Sequence, residues 1–324
     1  MNKRHAMRAL LALALLPAAA AAAEFPIPNK PLRIVVGFPA GGGTDAQARI
    51  VAQHLAPLLG VPVMVENRPG AGTMLAANEV AKSAPDGHTL LYTPASTLSQ
   101  LPHTVAAVKY DTFRDFTPVA QGALGPLVLV VHKSVPAANV RELVAYAKAN
   151  PGKLNYVSQG AGTPAHVFGQ VLARKAGIDM IHVPYKGAND VAKDFIAGRV
   201  HLQFASSSAA VALARSGEVR MIGTVAPRRS ALFPDLPTMG EQGISGIDIE
   251  SWVGFVGPAG MDPKVAARLS GAIGQVLAMP KVQEDFRTGG AEARWLGPQE
   301  FAGAIRTSYQ LWEKALAGIG YVKE

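Results

Sequence analysis

Apolar runs of strand length recur along the chain, and most are followed by a stretch in which hydrophobic positions fall at helical spacing. LRIVVGF, VPVMVEN, TLLYTP, LVLVVH, LNYVS, MIHVPY, HLQFAS, VRMIGTVA and WVGFVGP read as strands. Strand alternating with helix predicts an α/β chain. In the first predicted helix Thr44 or Asp45 is the cap, Val51, Leu55, Leu58 and Leu59 share one face, and Gly60 with Pro62 ends it. NVRELVAYAKAN and the SYQLWEKAL region read as surface helices. LVLVVHKSVP (127–136) and WVGFVGPAG (252–260) resemble each other, each an apolar strand leading to a proline before a new helix. They predict two crossings between lobes, with 24–126 and 252–324 forming lobe 1 and 127–251 forming lobe 2. The 324 residues suffice for two domains of ordinary size.

Residues 1–23 break this rhythm. Lys3, Arg4 and Arg8 precede ALLALALLPAAAAAA, and Ala21-Ala22-Ala23 before Glu24 has the small side chains of a cleavage site, which predicts a secretory signal peptide and a periplasmic location. No arginine pair precedes the apolar run, so export of the unfolded chain is expected, and no other stretch approaches the ~20 apolar residues of a membrane span. The chain contains no cysteine, which excludes disulfides, thiolate metal sites and a lipidated cysteine anchor. The formal charge is +8, with no Lys/Arg run interleaved with aromatics, so nucleic acid is not expected as a partner.

The candidate chemistry lies in the turns. After the first strand, Gly41, Gly43 and Ala46 fit G-x-G-x-x-A, and Glu66 closes the next strand, as in a nicotinamide-cofactor enzyme. A related pattern occurs three times, however: GGGT at 41–44 and GAGT at 70–73 and 160–163, each between a strand and a helical stretch. Glycines let backbone approach a ligand, and a helix start presents unpaired N–H groups that suit an anion. One helix terminus contributes ~0.3–1 kcal/mol, or ~2 when partly buried, against ~8 kcal/mol for micromolar binding. Several loops acting from both lobes are therefore required. No H-x-x-x-H spacing suggests a metal site, and Ser158-Gln159-Gly160 lacks the preceding glycine of a nucleophile elbow. No catalytic residue, metal or cofactor is expected.

PNKPLRIVVGFPAGGGTDAQAR, VENRPGAGT, DGHTLLYTP, RDFTPVA, HVPYKG and LPTMGEQG, in this order, resemble the Bug-type substrate-binding proteins of tripartite tricarboxylate transport systems. The resemblance covers essentially the whole chain after residue 23. It implies a two-lobed periplasmic binding protein that closes like a flytrap on a small carboxylate, working as a monomer with membrane transport subunits or with a sensor protein. An exported nicotinamide oxidoreductase is the remaining alternative, and the resemblance makes the G-x-G-x-x-A match coincidental.

Carried onto this sequence, the resemblance places Phe38, Ala40, Gly41, Gly43, Thr44 and Asp45 in a first ligand loop, Phe38 as a wall and Asp45 as helix cap or acceptor. Ala71 falls in a second loop, and Ser96 and Thr97 stand where hydroxyl donors are found. Ser158, Gly160, Gly162, Thr163 and His166 form the facing loop, and Tyr185, Lys186 and Gly187 the cleft edge, with Lys186 read as a solvated charge. Two departures fall where selectivity would be set. Ala205 and then Ser206, Ser207 and Ser208 replace a polar or acidic side chain, with Ser206 facing the ligand, and STLSQLPHTV replaces an asparagine-proline segment.

Overall fold

A computed structural model describes residues 25–185 and 188–323, so the signal-peptide reading of 1–23 and the roles expected of Lys186 and Gly187 lie outside the described residues. The chain builds β1 (Leu32–Val36), α1 (Gly43–Leu59), β2 (Val63–Asn67), α2 (Met74–Ala81), β3 (Thr89–Pro94), α3 (Leu101–Thr104) and β4 (Phe116–Leu124). It continues through β5 (Leu127–His132), α4 (Val140–Ala149), β6 (Leu154–Ser158), α5 (Pro164–Ala176), β7 (Met180–Pro184) and α6 (Ala188–Ile196). Next come β8 (Leu202–Ser206), α7 (Ser207–Ala214), β9 (Val219–Val225), β10 (Trp252–Pro258), α8 (Pro263–Leu277), α9 (Pro280–Thr288), β11 (Glu292–Leu296) and α10 (Pro298–Ile319). The strands form two sheets, β11-β4-β10-β3-β1-β2 and β7-β6-β8-β5-β9, one in each lobe.

Each sheet mixes parallel α/β units with antiparallel strands beside the crossings. β1 runs parallel to β2 and β3, whereas β10 is antiparallel to β3 and β4. β6 runs parallel to β7 and β8, whereas β5 is antiparallel to β8 and β9. Leu32, Ile34, Leu55, Phe255 and Leu269 belong to one core, and Leu129, Leu143, Phe168, Leu172 and Phe204 to another. The chain passes between sheets from β4 to β5 and again from β9 to β10. A third tie is α10. Its Phe301 and Ile305 pack in the six-stranded lobe, while Trp312, Ala315 and Leu316 pack with the core of the five-stranded lobe.

The structure corrects several local expectations. The SYQLWEKAL region is a helix whose outer face carries exposed Gln310, Glu313 and Lys314, but its inner face goes deeper than a surface helix needs: Trp312 is 3% exposed, its ring stacked on Phe168 with centroids 5.0 Å apart. Leu58, placed on the buried face of α1, is 40% exposed. The N-cap of α1 is Gly42, without a side-chain cap, and not Thr44 or Asp45. Two strands, β4 and β11, were not expected. Pro118 and Gly122 obscure β4, yet Pro118 lies opposite Val256 at a ladder irregularity, where a missing N–H is tolerated. Gly122 leaves room for the Tyr92 and Phe255 rings, since a Cβ there would stand 3.0 and 3.1 Å from them.

Candidate functional site

Between the lobes lies a cavity of about 340 Å³, within the range of small-molecule sites. Helix starts and strand ends converge on it. Phe38, Gly43 and Thr44 come from the β1–α1 turn, Ser96 from the turn after β3, Pro164 from the start of α5, and Ser206 to Ser208 from the start of α7. These are carboxyl ends of strands, where α/β sheets commonly place ligands. α1 begins without a side-chain cap, so its first N–H groups have no intrahelical acceptor. At α7 the Ser206 hydroxyl accepts from the Ala209 N–H at 3.4 Å, which leaves the N–H groups of Ser207 and Ser208 to serve a ligand. The Ser207 hydroxyl is engaged, donating to the Pro126 carbonyl at 2.6 Å. The remaining wall is largely apolar, with Leu124 and Leu127 at one crossing, Ile249 at the other, and the Phe168–Trp312 stack.

Of the residues singled out in the sequence, Phe38, Gly43, Thr44, Ser96 and Ser206 line this cavity. The others among the described residues lie outside its wall, and several have their polar groups occupied. Ala40 and Gly41 are exposed, and the Gly41 N–H donates to Asp45 Oδ2 at 2.8 Å. Asp45 is buried and also accepts from Arg49 Nε at 3.0 Å and Asn67 Nδ2 at 2.9 Å. Burial works to raise the Asp45 pKa, but these three donors outweigh it and hold the carboxyl below its ordinary value. Asp45 thus fastens the first loop from behind. Ala71 is exposed at φ 46°, and the Thr97 hydroxyl is buried between those of Thr73 and Thr93, 2.7 Å from each.

The facing loop has a different place. Ser158 Oγ donates to the Gly160 carbonyl at 2.9 Å and lies 2.7 Å from His182 Nε2, and Thr163 Oγ1 donates to the same carbonyl at 2.8 Å. His166 Nδ1 accepts the Gly162 N–H at 3.0 Å, and the two imidazoles of His166 and His182 stack at 4.1 Å. Gln100 Nε2, from the turn before α3, donates across the lobes to the Gly162 carbonyl at 2.5 Å. The 160–163 loop therefore touches the opposite lobe beside the cavity. The Tyr185 hydroxyl donates to Asp194 Oδ2 at 2.7 Å.

Residues that sequence reasoning did not select complete the wall: Gln47, Phe168, Ser207, Ser208, Glu250, Gly290 and Trp312. Phe168 lies just beyond His166 on the same helix, and the serines were visible as a departure, but Gly290 and Glu250 carried no local signal. A Cβ on Gly290, at φ 76°, would lie 2.7 Å from backbone atoms of Ser208, so glycine permits the lobes to approach there. Glu66, the acid of the G-x-G-x-x-A reading, is committed elsewhere: Arg33 donates to it at 2.6 and 2.8 Å, and Arg68 also pairs with it. The Arg33 hydrogen bonds, opposed by burial, lower the Glu66 pKa.

Residues 47–320 match the protein family described as the tripartite tricarboxylate transporter family receptor. A UPF0065 protein from the gbd 5' region of Cupriavidus necator is 37% identical over 310 residues, 93% of each chain. The solved structure of the periplasmic binding protein BugD has a TM-score of 0.78 at 30% identity, covering 92% of this chain and all 100% of that one. Rpa4515 of R. palustris, solved with adipate, has a TM-score of 0.82 at 29% identity, covering 92% of this chain and 99% of that one.

Proposed function

Because the chain belongs to the tripartite tricarboxylate transporter family of receptors, we propose that it is a periplasmic solute receptor that holds a small carboxylate in the cavity between its lobes. The observation that carries the reading is the convergence on one cavity of the α1 start, the α7 start and the Ser96 hydroxyl from opposite lobes. A carboxylate satisfies unpaired N–H donors and the positive ends of both helices at once. The binding of adipate by Rpa4515, a relative of the same architecture, supports the ligand class. Phe38, Gly43, Thr44, Ser96 and Ser206 are the residues assigned to contact it, with Asp45 and the 158–166 segment shaping the loops. Residues 1–23 direct export, and the membrane subunits of a tripartite transporter receive the ligand. Among the described residues no helix is long and apolar enough to cross a membrane.

Thermal unfolding of the protein lacking residues 1–23, measured with mono- and dicarboxylates, aromatic acids, amino acids and NAD, tests this. At one hundred times the dissociation constant a ligand stabilises the native state by ~2.7 kcal/mol. For lobes of this size each kcal/mol moves the midpoint by ~2–4 °C. A carboxylate raising the midpoint by several degrees is expected. A shift with NAD and none with any carboxylate at millimolar concentration would overturn the reading. Coprecipitation with membrane transport subunits, and not with a sensor's periplasmic domain, is the expected outcome for delivery.

A further inference from the structure

One side chain of the cavity wall has its amide held in a single orientation. Gln47 lines the cavity from α1, one turn beyond Gly43 and on the same face of the helix. Its Oε1 accepts the Tyr92 hydroxyl at 2.9 Å. Tyr92, on β3, is fully buried against the Phe255 ring, with centroids 4.3 Å apart, and is not part of the cavity wall. Burial pushes its phenol up, so the proton stays on the oxygen and must be donated. Among the described residues Gln47 Oε1 is the only hydrogen-bond partner of that hydroxyl. A buried hydroxyl is costly to leave unpaired, so this bond fixes which end of the amide faces the core. Gln47 Nε2, without a partner among the described residues, is left for the cavity.

With its carbonyl turned to Tyr92, the amide presents only N–H donors to a ligand. Side chains of a helix lean toward its N-terminus, so this donor stands beside the uncapped N–H groups of the α1 start. A carboxylate held at that start turns toward Nε2 the substituent on its neighbouring carbon. We infer that Gln47 reads an acceptor oxygen on that carbon, with Tyr92 as its positioning residue, and that the receptor prefers 2-oxo or 2-hydroxy acids over the same skeletons unsubstituted or 2-aminated. An unsubstituted acid leaves Nε2 desolvated without an acceptor, and an ammonium sets donor against donor. A keto oxygen accepts outright, and a hydroxyl has lone pairs with which to accept. This rests on the carboxylate reading above and names the substituent that its ligand carries.

Isothermal titration with three carbon skeletons tests the inference. The branched series is 2-oxoisovalerate, 2-hydroxyisovalerate, isovalerate and valine, and the dicarboxylic series is 2-oxoglutarate, 2-hydroxyglutarate, glutarate and glutamate. The aromatic series is phenylpyruvate, phenyllactate, 3-phenylpropionate and phenylalanine. In at least one series the wild type should bind the 2-oxo or 2-hydroxy acid about tenfold more tightly than the unsubstituted and the amino acid. Gln47→Met keeps the length and removes the donor, and should bring that preference to within about threefold. It also leaves the Tyr92 hydroxyl unpaired, so the double variant Gln47→Met with Tyr92→Phe, which buries no unpaired hydroxyl, is measured beside it and should give the same result. Tyr92→Phe alone frees the amide to turn its oxygen inward, and should lower the preference over the amino acid more than that over the unsubstituted acid. A merely structural Tyr92 would weaken the whole series alike, and that result overturns its positioning role. A wild type without the preference in any series, or a preference that both Gln47 variants keep, overturns the inference and leaves carboxylate binding standing. Failure of all these acids while another carboxylate binds does the same. Binding only of solutes that carry no carboxylate overturns both.

Discussion

Two glycines of the G-x-G-T loops look equivalent in the sequence and differ in space. Gly43 has a φ that side chains adopt, and a Cβ on it would meet nothing closer than Ser208 Oγ at 3.8 Å. Gly162 sits at φ 69°, with a Cβ placed 2.7 Å from the Tyr321 hydroxyl and 3.2 Å from Thr104 Cβ. Gly43→Asp should therefore fold, while placing a carboxylate where the ligand's own is expected. Repulsion and lost access should weaken binding at least about tenfold, with the unfolding midpoint of the unliganded protein nearly unchanged. Titration calorimetry beside a thermal melt reads both quantities, and undiminished affinity in a folded Gly43→Asp protein would remove this loop from the site. Gly162→Asp should instead cost stability, through strained backbone and the close Tyr321 contact. The sequence showed where a strand turns into a helix; it did not show which turn faces the cavity, because that depends on the φ of single glycines and on neighbours from the other lobe.

Among the elements, the strands with unbroken apolar runs, such as β1, β5 and β8, were legible, and so was the succession of strand and helix. β4 and β11 were not. β4 carries Pro118, Gln121 and Gly122, and it becomes a strand only because β10 and β11 hydrogen-bond to both its edges. α10 was legible as a helix but not as a tie, since its one apolar face packs in two cores in succession. The junction of β6, β7 and α5 adds a pH dependence. Burial, helped by the neighbouring His166, pushes His182 down to about 4, while its ordinary value is 6.5. Between these values the unfolded chain binds the proton and the folded chain does not, so this contribution is complete above about pH 6.5 and is lost as pH falls toward 4. His182→Phe keeps a ring beside Tyr156 and His166 and removes the titration. Denaturant unfolding followed from pH 7 to 4.5 should show a steeper loss of stability in the wild type, by up to one proton. Equal slopes would show that His182 does not titrate in this way.

At the scale of the molecule, the lobes already touch beside the cavity. Gln100 Nε2 donates to the Gly162 carbonyl at 2.5 Å, and Gly290 lets Ser208 approach from the opposite lobe. Neither Gln100 nor Gly162 lines the cavity, so this bond acts on closure and not directly on the ligand. Closure is driven only by the difference in ligand affinity between the two forms, and a bond present only in the closed form adds to that balance. Gln100→Met preserves length and packing and removes the donor. The lost hydrogen bond should cost the closed form ~0.5–1.5 kcal/mol, which weakens ligand affinity about two- to tenfold. Small-angle scattering should show the wild type contracting on ligand addition, and Gln100→Met should reach the same contracted state only at higher ligand concentration. Identical wild-type scattering with and without saturating ligand, together with unchanged affinity in Gln100→Met, would mean that the lobes do not move. The α1 and α7 starts would then form a permanent cavity, and ligand exchange would proceed without any opening of the crossings at Leu127 and Trp252.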